Sequence, residues 1–214
     1  MIIFNYLFAS SDAEKRGNMK IIAATKNKGK IKEISNILGK LGFEVESQQD
    51  AGYDVDVLET GDTFEKNALI KARAIAMLCD EPVLADDSGL CIDALDGKPG
   101  VYSARYAGED ATDADKVNKI LEELKSKKDR TARFVTSVAF IFPNGKEITA
   151  SGEVKGYITA EPLGENGFGY DPIFYSDELK KTFAQASDEE KNSVSHRGRA
   201  LMALSKKLKD YIQE

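Results

Sequence analysis

The stretch of sequence that decides the fold is Pro82-Val83-Leu84-Ala85-Asp86-Asp87-Ser88-Gly89-Leu90. Its first four residues are typical of a buried strand, and the acids, hydroxyl and glycine that follow predict that the strand ends in a turn. A carboxylate buried without a partner is strongly destabilising, so Asp86 and Asp87 require a divalent metal, a basic partner or bulk water. Ligands of open α/β sheets bind at the carboxyl ends of strands, which favours a functional site over a solvated corner.

The composition is that of a globular protein with no general affinity for polyanions. The chain has 214 residues, of which 42% are hydrophobic and 31% charged, and its formal net charge is −6. This length can bury a sizeable core, and the negative charge disfavours a nucleic-acid backbone binder. No apolar run reaches the length of a membrane span. The two cysteines, Cys79 and Cys91, are too few for a disulfide framework, so we expect the reducing cytoplasm as the location.

The N-terminal part of the chain predicts an extension followed by a strand, a basic turn and a helix. Residues Met1 to Asn18 lack the basic n-region and the cleavage site of a signal peptide, so we expect an extension outside a core of residues 19–214. A strand pattern starts at Met19, and the polar turn Thr25 to Lys30 leads into helical spacing. The turn is not a Walker A loop, but a helix N-terminus with lysines can bind phosphate.

Three further segments carry candidate residues. Thr63 and the residues around it predict a helix start, and the helix is expected to run to about Cys79 with Lys71 on its apolar stripe, where a lysine usually snorkels. The glycine-rich stretch from Gly164 to Pro172 predicts an irregular loop. Its aromatic rings are either exposed for stacking on a base or part of a structural Ω-like loop. The last helix is expected from about Ser195 to Ile212.

Six motifs lie along the chain between Met19 and the final helix. They are Thr25 to Lys30, Glu59-Thr60-Gly61 with Thr63-Phe64 and Asn67, Ala85 to Leu90, Pro99 with Tyr102 to Tyr106, Phe168 to Pro172, and Ser195 to Gly198. Together and in this order, they resemble the motifs of one enzyme family, the inosine and xanthosine triphosphate pyrophosphatases.

The resemblance implies an α/β fold with an elongated mixed twisted sheet flanked by helices, in two lobes around a central cleft. It implies Mg²⁺-dependent hydrolysis of non-standard purine nucleoside triphosphates (ITP, dITP, XTP) to the monophosphate and pyrophosphate. It also implies a homodimer. Hard Mg²⁺ prefers oxygen ligands, which suits a chain that is rich in carboxylates and poor in histidine.

The resemblance also assigns roles to individual residues. Those expected to bind the triphosphate are Thr25, Lys26, Asn27, Lys28, Gly29, Lys30 and Lys71. Those expected at the metal are Glu59, Asp86 and Asp87, with Asp87 as the base for the attacking water. Those expected at the nucleobase are Phe168, Gly169, Tyr170, Asp171, Lys191, His196 and Arg197, while Ser88 joins the substrate contacts. Which of the three acids binds metal directly and which acts as base stays open.

Two other classes of protein compete with this interpretation. One is another enzyme, either a pyrophosphatase for pyrimidine or modified nucleotides or a general metal phosphatase. The other is a nucleotide sensor without catalysis. The base-pocket residues argue against the first, and the number of acids beside a polyanion site argues against the second, since binding alone does not need them.

Overall fold

The computed structural model describes residues 19–213 and shows a mixed α/β protein, which confirms the predicted fold class. The expected extension, Met1 to Asn18, lies outside the described residues. The helices and strands are β1 (Met19–Ala23), α1 (Lys28–Gly39), β2 (Phe43–Ser47), α2 (Phe64–Ala76), β3 (Val83–Ile92), α3 (Asp113–Glu123), β4 (Thr131–Ile141), β5 (Glu147–Ile158), β6 (Phe174–Ser176), β7 (Lys181–Thr182), α4 (Asp188–Val194) and α5 (His196–Gln213).

The strands follow one another in the order β2-β1-β3-β4-β5-β6-β7. Strand β1 runs parallel to both β2 and β3, whereas β6 is antiparallel to β5 and to β7. Parallel neighbours require crossover connections, and α1 and α2 lie in the two connections that link these three strands along the chain. Within residues 19–213, no helix is long and apolar enough to cross a membrane.

The strand that carries the acidic stretch is longer than the sequence predicts. Strand β3 continues through Asp86 and Asp87 to Ile92, so the predicted turn at the two acids is wrong. The strand can continue because its pairing supplies backbone partners and a basic side chain neutralises the buried Asp86, as described below. Successive side chains of a strand point to opposite faces, so the two carboxylates are directed apart.

The described residues form two compact units. Unit 1 comprises the residues up to Asp86, Ser137–Ser151 and the residues from Ala200 onward, and unit 2 comprises Asp87–Thr136 and Gly152–Arg199.

Unit 1 buries both faces of its strands. One face, which includes Ile21 and Leu84, packs against α1 and against Leu201, Leu204 and Leu208 of α5. The opposite face packs against α2 through Ala68, Ala72 and Ile75. Alternate strand residues belong to the two cores, as expected for parallel strands covered on both sides.

The core of unit 2 is built around several aromatic rings that pack together. Phe134 of β4 packs against Phe174 and Phe183, with ring centroids 4.6 Å and 6.0 Å away. The buried side of α3, with Val117 and Ile120, completes the core. This core supports the glycine-rich loop, because Tyr170 of that loop belongs to it.

Candidate active site

The predicted phosphate-binding turn forms the start of α1 in unit 1. The Asn27 side chain caps the helix by accepting from the Lys30 N–H at 3.1 Å, and the Thr25 hydroxyl accepts from the Asn27 N–H at 3.2 Å. The turn therefore presents a helix N-terminus with basic residues, the arrangement that suits an anion. Lys28 is exposed beside Gly29 at this end of the helix.

Lys26 is held by two acids that the sequence interpretation did not include. Its ammonium lies 2.6 Å from Asp54 and 2.8 Å from Asp56, both of which are exposed. The pKa of Lys26 is raised mainly by its hydrogen bond to Asp54 and next by the one to Asp56, which keeps the ammonium charged. A phosphate that binds Lys26 must compete with these two carboxylates.

The fully buried Asp86 forms an ion pair with Lys30, whose ammonium lies 3.2 Å from Asp86 Oδ1. Of the three ways to stabilise this carboxylate that the sequence left open, the structure shows the basic partner. Removing one partner of a buried ion pair strongly destabilises the folded protein, because the other charge is left buried without compensation.

Glu59 and Lys71 form a second lysine–carboxylate pair in unit 1, with 2.5 Å between Nζ and Oε1. Lys71 lies on α2 and is 12% exposed, so it pairs with an acid instead of snorkelling into water. The loop that carries Glu59 is fixed by the buried Asn67, whose side chain accepts from the Gly61 N–H at 2.7 Å. Two of the predicted phosphate lysines, Lys30 and Lys71, therefore pair within unit 1 with two of the predicted metal acids, Asp86 and Glu59.

Asp87 and Ser88 belong to unit 2, where β4 and α5 hold them. The Thr136 hydroxyl donates to the backbone carbonyl of Asp87 at 3.0 Å, and the Asp87 side chain is buried. The Arg197 guanidinium donates to the Ser88 hydroxyl at 2.9 Å. Arg197 is 1% exposed and is among the largest fully buried side chains, so its position is fixed by packing.

The glycine-rich loop is irregular, as predicted, and its shape is set by hydrogen bonds inside unit 2. Asp171 accepts from the Phe168 N–H at 2.9 Å and forms an ion pair with Lys191. The Tyr170 hydroxyl donates to the Ser103 carbonyl at 2.8 Å, and burial raises the pKa of Tyr170 above its ordinary value, which keeps the phenol protonated. Gly169 donates its N–H to Asp113 at 2.6 Å.

Cations lie over the Phe168 ring. The Lys191 ammonium is 4.8 Å from the ring centroid, and the Arg197 guanidinium carbon is 5.9 Å from it. Lys191 lies on α4, a helix that the sequence interpretation missed, although the Ser187 and Glu190 capping box marks its start. His196 begins α5 and is buried, with its ring stacked on Phe134 and the ring centroids 4.7 Å apart. The structure thus places Lys191 and Arg197 over Phe168 and pairs Lys191 with Asp171. Tyr170 and His196 instead pack in or against the core that contains Phe134.

The structure limits how the described residues could hold a metal ion. Among residues 19–213, no three His, Cys, Asp or Glu side chains form a group that could hold a metal ion. Mg²⁺ in nucleotide enzymes is usually held by one or two carboxylates together with substrate phosphates and water, so it needs no such group. The oxygen donors of Glu59, Asp86 and Asp87 fit this chemistry, and their assignment to a metal stays a prediction.

Gly167 is a position in the loop where a side chain is poorly tolerated. It has φ +77, and a Cβ built on it would lie 2.1 Å from Asp171 Oδ2. We expect Gly167→Ala to lower the free energy of unfolding by about 2–4 kcal/mol, because backbone strain and the clash with Asp171 add. Chemical denaturation of the variant measures this loss.

Gly97→Ala is the matched control for Gly167→Ala. Gly97 has φ +80, but a Cβ there meets no atom within 4 Å, so the control carries the backbone strain without the clash. Equal losses of stability in the two variants would show that the contact with Asp171 does not constrain the loop.

Comparison with known proteins identifies the family. The model of the Ham1 family matches residues 21–207. A dITP/XTP pyrophosphatase of Halalkalibacterium halodurans is 54% identical over 187 residues, 86% of this chain and 96% of the relative. The dITP/XTP pyrophosphatase of Bacillus subtilis is 50% identical over 189 residues, 87% of this chain and 96% of the relative.

Solved structures agree with the sequence matches. The Staphylococcus aureus Ham1 protein superposes with a TM-score of 0.79 at 43% identity and covers 90% of this chain and 99% of its own. A HAM1 protein from Coxiella burnetii gives a TM-score of 0.80, also at 43% identity, with the same coverage. Because the family match and these relatives span most of the chain, the protein belongs to the Ham1 family.

Proposed function

We propose that the protein hydrolyses the triphosphates of deaminated purines, ITP, dITP and XTP, to the nucleoside monophosphate and pyrophosphate. The observation that carries the proposal is the 54% identity to a dITP/XTP pyrophosphatase over 96% of that relative's length. The lysines, carboxylates and aromatic loop described above supply side chains suited to a triphosphate and a purine. The alternative enzymes and the sensor remain outcomes of the test below.

In the proposed reaction, unit 1 binds the triphosphate. Lys26, Lys30 and Lys71 neutralise its charge, which otherwise repels a nucleophilic oxygen, and the N–H groups at the start of α1 donate to a phosphate oxygen. Each of these lysines contacts a carboxylate in the structure. Binding therefore exchanges a carboxylate counter-ion for a phosphate, and the released acids become available as oxygen ligands.

The three acids Glu59, Asp86 and Asp87 are the candidates for holding the metal and for accepting the proton. We propose Mg²⁺ as the cofactor. One or two of the carboxylates of Glu59, Asp86 and Asp87 would hold it together with the substrate phosphates, where it would supply charge neutralisation. Asp87 accepts the proton of the attacking water through a carboxylate oxygen. Burial on β3 and the hydrogen bond from Thr136 to the Asp87 carbonyl fix the backbone that carries this carboxylate.

Unit 2 recognises the base. Phe168 stacks on the purine, which does not distinguish one purine from another. Donors from Lys191, Arg197, His196 and the loop backbone pair with the 6-keto oxygen of hypoxanthine or xanthine, whereas the 6-amino group of adenine leaves such donors unpaired. We also propose, from the resemblance, that the protein is a cytoplasmic homodimer.

The proposal predicts a selectivity that a nucleotide panel can measure. We expect kcat/KM for ITP and XTP to exceed that for ATP by about 10³ or more, because two or three unpaired buried donors cost roughly 1–3 kcal/mol each. GTP shares the 6-keto group, so we expect its 2-amino group to cause its rejection. The assay is pyrophosphate release from ITP, XTP, GTP, ATP and a pyrimidine triphosphate, with and without Mg²⁺.

The panel also separates the competing functions. Equal kcat/KM for ITP and ATP would contradict base recognition through the 6-keto group. A preference for a pyrimidine triphosphate would support the related pyrophosphatases, and release of orthophosphate would support a general phosphatase. Tight binding of ITP without turnover would support the sensor.

A further inference from the structure

The glycine-rich loop is hydrogen-bonded to α3, a helix that has no role in the proposed reaction. Asp113 is the first residue of α3, and its Oδ2 accepts from the Gly169 N–H at 2.6 Å. Gly169 lies between Phe168 and Tyr170, with φ +61, so the direction of its N–H is coupled to the backbone that orients the Phe168 ring. Asp113 thereby fixes the loop at the peptide next to the proposed stacking residue.

The Asp113 carboxylate is itself held in place. Lys116 lies one turn further along α3, and its ammonium is 2.6 Å from Asp113 Oδ1, which leaves Oδ2 for the loop. Burial raises the pKa of Asp113, but the bonds from Lys116 and from the Gly169 N–H outweigh burial and hold the pKa below its ordinary value. A carboxylate acceptor makes the bond to Gly169 charge-assisted, about twice as strong as one between neutral groups.

Asp113 takes no part in capping the helix. Thr112 and Asp115 form a capping box, in which the Thr112 hydroxyl accepts from the Asp115 N–H and the Asp115 carboxylate accepts from the Thr112 N–H. Val117 and Ile120 anchor α3 in the core of unit 2. Helix α3 is therefore held in place by its own capping box and by its core contacts. Its stability does not depend on the contact between Asp113 and the loop.

We propose that Asp113 is a positioning residue for nucleobase recognition, which holds the Gly169 peptide so that Phe168 is presented to the purine. The inference rests on the proposed function and deepens it, because it assigns part of the base specificity to a residue outside the loop. Asp113 acts through the loop backbone and touches neither the phosphates nor the reacting atoms in this account. Its loss consequently affects binding of the base and not of the phosphates.

The test compares three variants. In Asp113→Ala the acceptor is lost, and we expect KM for ITP to rise about tenfold with kcat changed less than about threefold, the effect of losing one charge-assisted bond. In Asp113→Asn the amide oxygen can still accept from Gly169, so we expect most of the affinity to return. Asp115→Ala breaks the capping box without touching the loop, and we expect a lower Tm with an unchanged KM.

Two further readouts separate base positioning from general damage. Inorganic tripolyphosphate lacks a base, so its inhibition constant should be the same in the wild type and in Asp113→Ala. Hydrogen exchange of the Gly169 amide, which needs no activity, should be slow in the wild type and faster in Asp113→Ala. A protein that shows this exchange difference but does not hydrolyse ITP would refute the proposed function while leaving the contact intact.

Other outcomes would overturn the inference about Asp113. An unchanged KM in Asp113→Ala would do so, and so would a rise in the tripolyphosphate inhibition constant that matches the rise in KM. An equal rise of KM in Asp115→Ala would show that the effect comes from the start of the helix and not from the bond to Gly169.

Discussion

Replacing Asp87 by Asn is expected to lower kcat for ITP by about 10²–10⁴-fold, the usual contribution of a group that accepts a proton in the transition state. Asn has the same shape but is neutral and barely basic, so it neither accepts the proton of water nor binds a cation as a carboxylate does. The Thr136 bond to Asp87 is made to the backbone carbonyl and survives the change. Steady-state kinetics at saturating ITP measure the effect.

Asp110→Asn is the control for Asp87→Asn. Asp110 is an exposed acid of unit 2, so its replacement removes the same charge away from the buried strand. We expect wild-type kcat in this control and a wild-type circular dichroism spectrum in both variants. An Asp87→Asn protein that retains kcat within about tenfold of the wild type would remove Asp87 from the proton-accepting role.

Replacing Lys191 by Met is expected to produce the largest loss of stability. The side chains of Lys191 and Asp171 are 5% and 4% exposed, so the variant leaves the Asp171 carboxylate buried without this cation. Removing one partner of a buried ion pair costs about 3–5 kcal/mol. In a chain of this size that loss lowers Tm by roughly 6–20 °C, which thermal unfolding can measure.

The double variant Lys191→Met/Asp171→Asn separates the buried charge from lost packing. The amide oxygen that the second substitution introduces can still accept from the Phe168 N–H, while the uncompensated negative charge is gone. We expect the double variant to be more stable than Lys191→Met by at least about 1 kcal/mol, because the single change leaves the costlier buried group. A double variant less stable than the single one would show that burial of the Asp171 charge is not what destabilises the protein.

The sequence predicted best those elements that depend on neighbouring residues. The start of α2 was predicted from Thr63, and the last helix from its apolar stripe, because capping and periodicity are local. The end of β3 was predicted wrongly, because the ion pair that stabilises Asp86 comes from Lys30, which is distant in the chain. Local sequence therefore could not show that a strand can continue through buried acids.

In the candidate site, too, the sequence predicted what depends on neighbouring residues and missed what depends on tertiary packing. Motifs located the glycine-rich loop and the phosphate turn, but they could not show which charges meet. The pairing of Lys71 with Glu59 and the bond from Gly169 to Asp113 both depend on tertiary packing. Helix α4 was missed despite a local signal, the Ser187 and Glu190 capping box.

Hydrolysis of ITP in water enriched in ¹⁸O shows which phosphorus atom the water attacks. We expect pyrophosphate and inosine monophosphate as products, with the label in the monophosphate, because the water attacks the α-phosphorus. Mass spectrometry of the two products locates the label. Inosine diphosphate with labelled orthophosphate would show attack at the γ-phosphorus, and labelled pyrophosphate would show attack at the β-phosphorus. Either result would contradict the proposed reaction.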